Sequence, residues 1–207
     1  MTGVQTCALP IYPAHALADG SRLSGRSGKL HRFDELVTDF VDAGERALVF
    51  TQFTEMGTLL QAHLLEKFHL RVPFLHGGVS KSMRDRMVDV FQTDEHAPPL
   101  LLVSLRAGGT GLNLTAASRV VHYDRWWNPA VEDQATDRAW RIGQQRSVFV
   151  HKLVCEGTVE ERIDSLIADK KALAEAVVGS SGERWLSELS TDDLRDLVVL
   201  DHSKVRH

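Results

Sequence analysis

No apolar run in this chain approaches the roughly 18 to 20 residues that a membrane-crossing helix needs, so no membrane span is expected and the cytoplasm is the expected place of work. Cysteine is scarce. Cys7 and Cys155 are too few for a disulfide framework. The ten histidines do not gather with cysteine at metal-ligand spacing, and His63, His69, His76 and His122 read as ordinary surface or core residues. A basic surplus is also missing. With a formal charge of −4 and an isoelectric point near 6.2, any nucleic-acid contact must come from a local surface. The phosphate-cradling pattern GxxxxGK followed by Ser or Thr is absent: GRSGKL at Gly25–Leu30 has the wrong length and no hydroxyl after its lysine. Nor does an acidic DExH box follow an apolar strand. Asp34 and Glu35 fall inside an amphipathic helix, where both are expected to face solvent.

What is present suits a globular protein. A chain of 207 residues with 43% hydrophobic content can build one packed domain plus appendages. The first eleven residues, MTGVQTCALPI, lack the basic start of a signal peptide, and Pro10 interrupts their apolar part. The string matches a translated sequencing-library adapter, so residues 1–13 are assigned to that artefact and its junction, and the natural protein is expected to extend upstream. Residues 14–28, rich in small residues, read as linker. Residues 29–178 form the main domain and 179–207 a short helical tail.

Within the main domain, helices and strands alternate. Leu30, Phe33, Leu36, Val37 and Phe40 recur at helical spacing, with Gly44 closing the helix, and Arg46–Thr51 follows as a strand. Met56, Leu59, Leu60 and Leu64 mark a second helix, Val72–Leu75 a short strand, and Ser80–Gln92 a serine-capped third helix. Leu100–Ser104 and Arg119–Tyr123 are apolar runs of the kind buried on both faces of a parallel sheet. A helix over Pro129–Arg141 and a strand over Val148–Val154 complete the alternation, which predicts a parallel sheet covered on both faces, with ligands at loops beyond the carboxyl ends of its strands. Thr158 and Glu161 form a capping-box pattern that opens a long helix to about Val178, whose Val159, Ile163, Leu166 and Ile167 suit packing on the domain. After a break at GSSG, Ser190 with Asp193 caps a last short helix.

Three segments carry chemistry. Asn128–Pro129 is a strong helix start, and Gln134, Arg138 and Arg141 then lie at i, i+4 and i+7, projecting from one face before Gly143 lets the chain leave. Arginine suits phosphate because its planar fork makes paired, charge-assisted bonds at any working pH. Taken alone the face fits a solvated helix equally well, and Glu132 and Asp137 supply some of the acids such a face would interleave. SLRAGGTGLNLT, Ser104–Thr115, can bring backbone amides close to a phosphate, although a glycine-rich turn by itself reads first as a tight turn. DRWWNP, Asp124–Pro129, puts Trp126 and Trp127 at a strand end, where one of them could meet a sugar or base while paired tryptophans more usually belong to a core.

In order and spacing, VFTQF, LHGG, SLRAGGTGLNL, DRWWNP and QATDRAWRIGQ closely resemble the second RecA-like lobe of Swi/Snf-type ATPases, DNA translocases of helicase superfamily two. The resemblance runs from about Ser27 to Val178. It implies an α/β, RecA-like three-layer fold with a mainly parallel central sheet plus C-terminal helices. Trp140, where many members carry His, suggests a bacterial branch. By the same resemblance Arg138 and Arg141 act as arginine fingers on ATP held mainly by a first lobe, and Gln134 positions the site with them. Gly109, Gly111 and Asn113 line the junction between nucleotide and DNA. Gly78, Lys81, Ser104, Arg106 and Trp127 contact double-stranded DNA through its backbone or minor groove, which positions without reading sequence. ATP and Mg2+ belong mainly to the absent lobe, so the chain alone, expected to be a monomer, should neither hydrolyse ATP nor move DNA. A strand-separating helicase and a non-catalytic interaction module remain the alternatives.

Overall fold

The computed structural model describes residues 27–105, 112–126, 129–139, 146–155, 158, 160–162 and 164–165. Helix α1 (Gly28–Asp42) leads into β1 (Ala47–Thr51), followed by α2 (Thr54–Phe68), β2 (Phe74–Leu75), α3 (Lys81–Thr93) and β3 (Leu100–Ser104). Then come β4 (Arg119–His122), α4 (Pro129–Thr136) and β5 (Phe149–Lys152). The strands form one five-stranded sheet in the order β2-β3-β1-β4-β5, every pairing parallel. That order places β1 at the centre, and both β1 and β3 are buried at every residue. Their unbroken apolar character follows, since a strand covered on both faces has no polar side to show.

Two cores separate the layers by the strand period of two. Ala47, Val49, Leu100, Leu102 and Val121 point into a cluster with Leu30, Phe33 and Phe40 of α1 and Met56, Leu60 and Leu64 of α2. Leu48, Phe50, Leu101, Val103 and Val120 point the other way, onto Phe91 of α3 and Ala135 of α4. This is the three-layer arrangement expected from the sequence. Every apolar position that marked α1 is buried; at about 1.5–3 kcal/mol per large side chain, that face alone holds the helix on the sheet. Gly44 follows α1 with φ +63, the left-handed conformation that glycine adopts without strain. Of the glycines described, Gly57 of α2 has the least room: an added Cβ would lie 2.1 Å from the Phe74 ring.

Two expectations need correction. Asp34 does not face solvent: it is buried, with Oδ1 2.6 Å from His63 Nε2 and Oδ2 accepting from Lys67 Nζ at 2.7 Å. Burial pushes its carboxyl up, but the hydrogen bonds and charges of His63 and Lys67 outweigh that and hold it below its ordinary value. Glu35 is exposed as expected and pairs with Arg32. The other concerns α4, which was expected to run to Arg141 and stops at Thr136. Residues 137–139 turn through three-residue hydrogen bonds, Arg138 N to Ala135 O and Ala139 N to Thr136 O, while the Thr136 hydroxyl bonds back to Glu132 O. At the start of the next helix the Thr158 hydroxyl accepts from Glu160 N at 3.2 Å, as a cap does, while the Glu160 carboxylate accepts from Cys155 N at 3.0 Å. Residues 160–162 and 164–165 are helical; the continuation to Val178, the linker at 14–26 and the tail with Ser190 lie outside the described residues.

Candidate functional site

Because all five strands are parallel, their carboxyl ends share one edge. The crevice between β1 and β4, whose onward connections run in opposite directions, is the topological switch point of the sheet. Asp124 fills it. Its Oδ2 accepts from the Thr51 hydroxyl and from Gln52 N (3.2 Å), tying the DRWWNP loop to the end of β1. Burial drives this carboxyl above its ordinary range despite the nearby Lys29 charge and the Thr51 hydroxyl. Lys29 itself is buried and donates to both oxygens of Glu160, at 2.7 and 2.6 Å. Burial opposes its ammonium charge, but Glu160, Cys155 and Asp124 together raise its pKa above the ordinary lysine value.

Arg125 anchors the next step of the same loop. Its guanidinium donates twice to Glu132 (3.0 and 2.7 Å) and once to Asp164. Glu132 is fully buried and also accepts from Trp126 N (2.9 Å) and from Lys152 Nζ at 2.8 Å. Burial raises the Glu132 carboxyl, and the Arg125 and Lys152 cations more than reverse this, leaving it below the ordinary value. So Glu132 is no part of a solvated face, whereas Asp137 is exposed. The sequence reading missed this cluster because Arg125 and Glu132 are seven residues apart across a loop, outside helical periodicity. Trp126 packs half-buried against the second core cluster. The loop is thus rooted by two buried charges of opposite sign.

The residues singled out from the sequence divide between the two edges of the sheet. At the carboxyl edge, Gly78 and Lys81 are exposed at the amino end of α3, after a turn closed by His76, and Ser80 caps the helix by accepting from Met83 N. Ser104 ends β3 at the same edge but is 3% exposed, paired in register with Thr51, so its hydroxyl is not offered to solvent. At the other edge lie Asn113 and Arg138. Leu114 N donates to Arg138 O (2.9 Å), Ala117 N to Leu114 O, and Ser118 N to Arg46 O just before β1. The return of the chain along α4 carries Arg138 away from the carboxyl edge, contrary to the expectation that all informative loops lie there. Gln134 is exposed while Arg138 is 6% exposed, so the two do not share an open face. Arg106, Gly109, Gly111, Trp127, Asn128 and Arg141 lie outside the described residues.

One organising residue had not been singled out. Gln92, in the last turn of α3, donates from Nε2 to Asn113 O (3.2 Å) and Thr115 Oγ1 (3.4 Å), and its Oε1 accepts from Ala116 N at 2.7 Å. It pins the end of the glycine-rich segment at the place where Leu114 meets Arg138. No sequence spacing announces such a contact. Among the described residues no group of His, Cys, Asp or Glu is arranged to hold a metal ion, and no helix is long and apolar enough to cross a membrane.

Residues 28–143 match the family described as the helicase conserved C-terminal domain. The helicase/translocase-type protein YwqA of Bacillus subtilis is 51% identical over 178 residues, 86% of this chain and 19% of that relative. A Sulfolobus solfataricus SWI2/SNF2 ATPase core solved in complex with double-stranded DNA is 43% identical, with a TM-score of 0.73 over 90% of this chain and 39% of that one. The C-terminal domain of the Sulfolobus enzyme, solved separately, is 41% identical with a TM-score of 0.70, and this chain covers 75% of it. The chain thus spans a minor part of the intact proteins it matches and most of their isolated C-terminal domain. With the same three-layer parallel sheet and these identities, it belongs to the helicase conserved C-terminal domain family, as a RecA-like C-terminal lobe of the Swi2/Snf2 ATPase type.

Proposed function

We propose that this chain is the second lobe of an ATP-dependent double-stranded DNA translocase, supplying arginine fingers and DNA-backbone contacts and inactive without its first lobe. The observation that carries the reading is the 43% identity to an ATPase core held on double-stranded DNA, of which this chain spans 39%. ATP would be gripped mainly by the other lobe, with Mg2+. The described residues fit that division: their buried carboxylates, Asp34, Asp124 and Glu132, are each engaged by a cation or hydroxyl of the fold itself.

Arg141 takes the finger role first in this reading. A fingertip guanidinium stabilises charge developing on the transferred phosphoryl group, an effect of roughly 10³ to 10⁵ in rate in related hydrolases. Arg138, 6% exposed, reaches a phosphate only by leaving its present packing, so its finger role requires closure of the two lobes. Gln134, exposed one turn earlier, positions the nucleotide from the open side. Asn113, with Gly109 and Gly111, lines the junction between ATP and DNA. Gly78 and Lys81 meet the DNA backbone at the amino end of α3, where free amides favour an anion. Arg106 and Trp127 extend that contact, and Ser104 joins it on a rearrangement that exposes its hydroxyl.

The test uses both the chain and an intact protein of the family. Purified alone with DNA, the chain should show no ATP turnover above an Arg141→Ala control. In the intact protein, Arg141→Ala should reduce kcat by at least 10³-fold while leaving nucleotide binding within a few-fold. Retained turnover would remove the finger assignment, and strand separation on a forked duplex would replace translocase by helicase.

A further inference from the structure

A second surface has no place in that reading. Between α2 and α3, beside the edge strand β2, lies a groove of about 630 Å³ with a mainly apolar wall. Three of the exposed large hydrophobic side chains among the described residues line it: Leu65 (45% exposed), Met83 (47%) and Val90 (38%). Met87 completes the floor. Converging exposed apolar side chains of this kind mark a binding surface more than scattered single ones do. Arg71 and Arg86 stand on the rim, both exposed, and neither guanidinium is engaged by a carboxylate among the described residues. An apolar trough flanked by free cations fits an amphipathic helix whose polar face is acidic.

The chain contains such a segment. Residues 183–200, ERWLSELSTDDLRDLVVL, carry Glu183, Glu188, Asp192, Asp193 and Asp196 against two arginines, Arg184 and Arg195. Beyond the Ser190 cap, Leu194, Leu197 and Val198 fall at i, i+3 and i+4, one apolar stripe beside those acids. Length permits the docking. Residues 166–182 can span roughly 50 Å when extended, and a helix over 166–178 followed by a short link still covers about 30 Å. The five-stranded sheet that separates residue 165 from the groove is about 20 Å wide. Tethering at that distance makes the local concentration of the segment about millimolar, enough to populate a weak helix-in-groove contact.

We propose that the segment at 183–200 docks in the α2–α3 groove through the acidic amphipathic helix beyond Ser190, with Leu194, Leu197 and Val198 against Leu65, Met83 and Val90 and its carboxylates beside Arg71 and Arg86. The test uses the whole chain, with methionine methyls labelled with carbon-13 and a nitroxide at Ser187→Cys in a Cys7→Ser background. The Met83 and Met87 methyl signals should broaden at least fivefold relative to the reduced label, independently of protein concentration. Leu194→Asp with Leu197→Asp, outside the folded lobe, should abolish the broadening, and Arg71→Glu with Arg86→Glu should weaken it at least threefold. No broadening would mean that the groove awaits a different protein, and broadening that grows with concentration would mean a second copy of the chain; either overturns the proposal. So does broadening that persists through both pairs of substitutions.

Discussion

Acidification from pH 8 to pH 5 should remove about 2 kcal/mol of folding stability through one side chain, His122. Its ring is 0% exposed, stacks on Phe50 at 5.4 Å and lies 3.0 Å from the Thr136 hydroxyl. Burial lowers its pKa from 6.5 to about 4; the Lys152 and Arg125 cations push the same way, with Glu132 opposing them. At about 1.4 kcal/mol per pH unit that separation is worth roughly 3.4 kcal/mol in full. The unfolded chain takes the proton first, near the ordinary value. The contribution is therefore intact above about pH 6.5, lost progressively toward pH 4, and reduced by about 2 kcal/mol at pH 5. Urea unfolding followed by circular dichroism at pH 8, 7, 6 and 5, on the native chain and on His122→Phe, isolates the effect. Phenylalanine keeps the stack on Phe50, and the Thr136 hydroxyl keeps its bond to Glu132 O. Burial also lowers the His151 pKa, so His151 contributes with the same sign as the pH falls below the ordinary histidine value. The diagnostic quantity is thus the difference between the two curves. Stabilities that run parallel within about 0.5 kcal/mol from pH 8 to pH 5 would refute the reasoning.

Other perturbations probe the same framework. Glu132→Gln leaves Arg125 and Lys152 facing a neutral partner inside the fold, and should cost about 3–5 kcal/mol, read as a fall in Tm; a shift of under about 2 °C would contradict it. Gly57→Ala, with its Cβ driven to 2.1 Å from the Phe74 ring, should cost about 1–3 kcal/mol, and Phe74→Leu should restore part of that loss in the double variant; strict additivity would argue against the clash. Gln92→Ala removes the acceptor of the Ala116 amide and should speed hydrogen exchange there about five- to tenfold, the equivalent of about 1–1.4 kcal/mol, while amides of β1 are unaffected.

The layers were legible in the sequence because burial writes periodicity. LLLVS and ALVFT announce strands covered on both sides, and the spacing of Leu30, Phe33 and Phe40 announces a helix laid against them. Buried charge writes none. Asp34, Arg125 and Glu132 look in sequence like any solvated residue, and their partners, His63, Asp164 and Lys152, come from elements brought together only by the fold. The same limit explains α4. A pattern of i, i+4 and i+7 presumes a helix unbroken from Gln134 to Arg141, whereas the Thr136 hydroxyl bonds back into the preceding turn and the chain tightens before Arg138. The expectation for the loops failed for a topological reason: the sheet rule locates strand ends, but Arg138 follows a returning helix and belongs to the opposite edge. Motif spelling fared better than geometry in naming the family, since DRWWNP and QATDRAWRIGQ survive as strings whatever their side chains touch.

The pairing of Lys29 with Glu160 has a mechanical consequence. Lys29 lies near the first described residue and Glu160 near the last, so one ion pair fastens both ends of the described lobe at a single corner. A pull applied at those two ends would meet at that pair before it reached the strands. A slab gripped at one corner swings on it like a door and does not slide, with its opposite margin sweeping the widest arc.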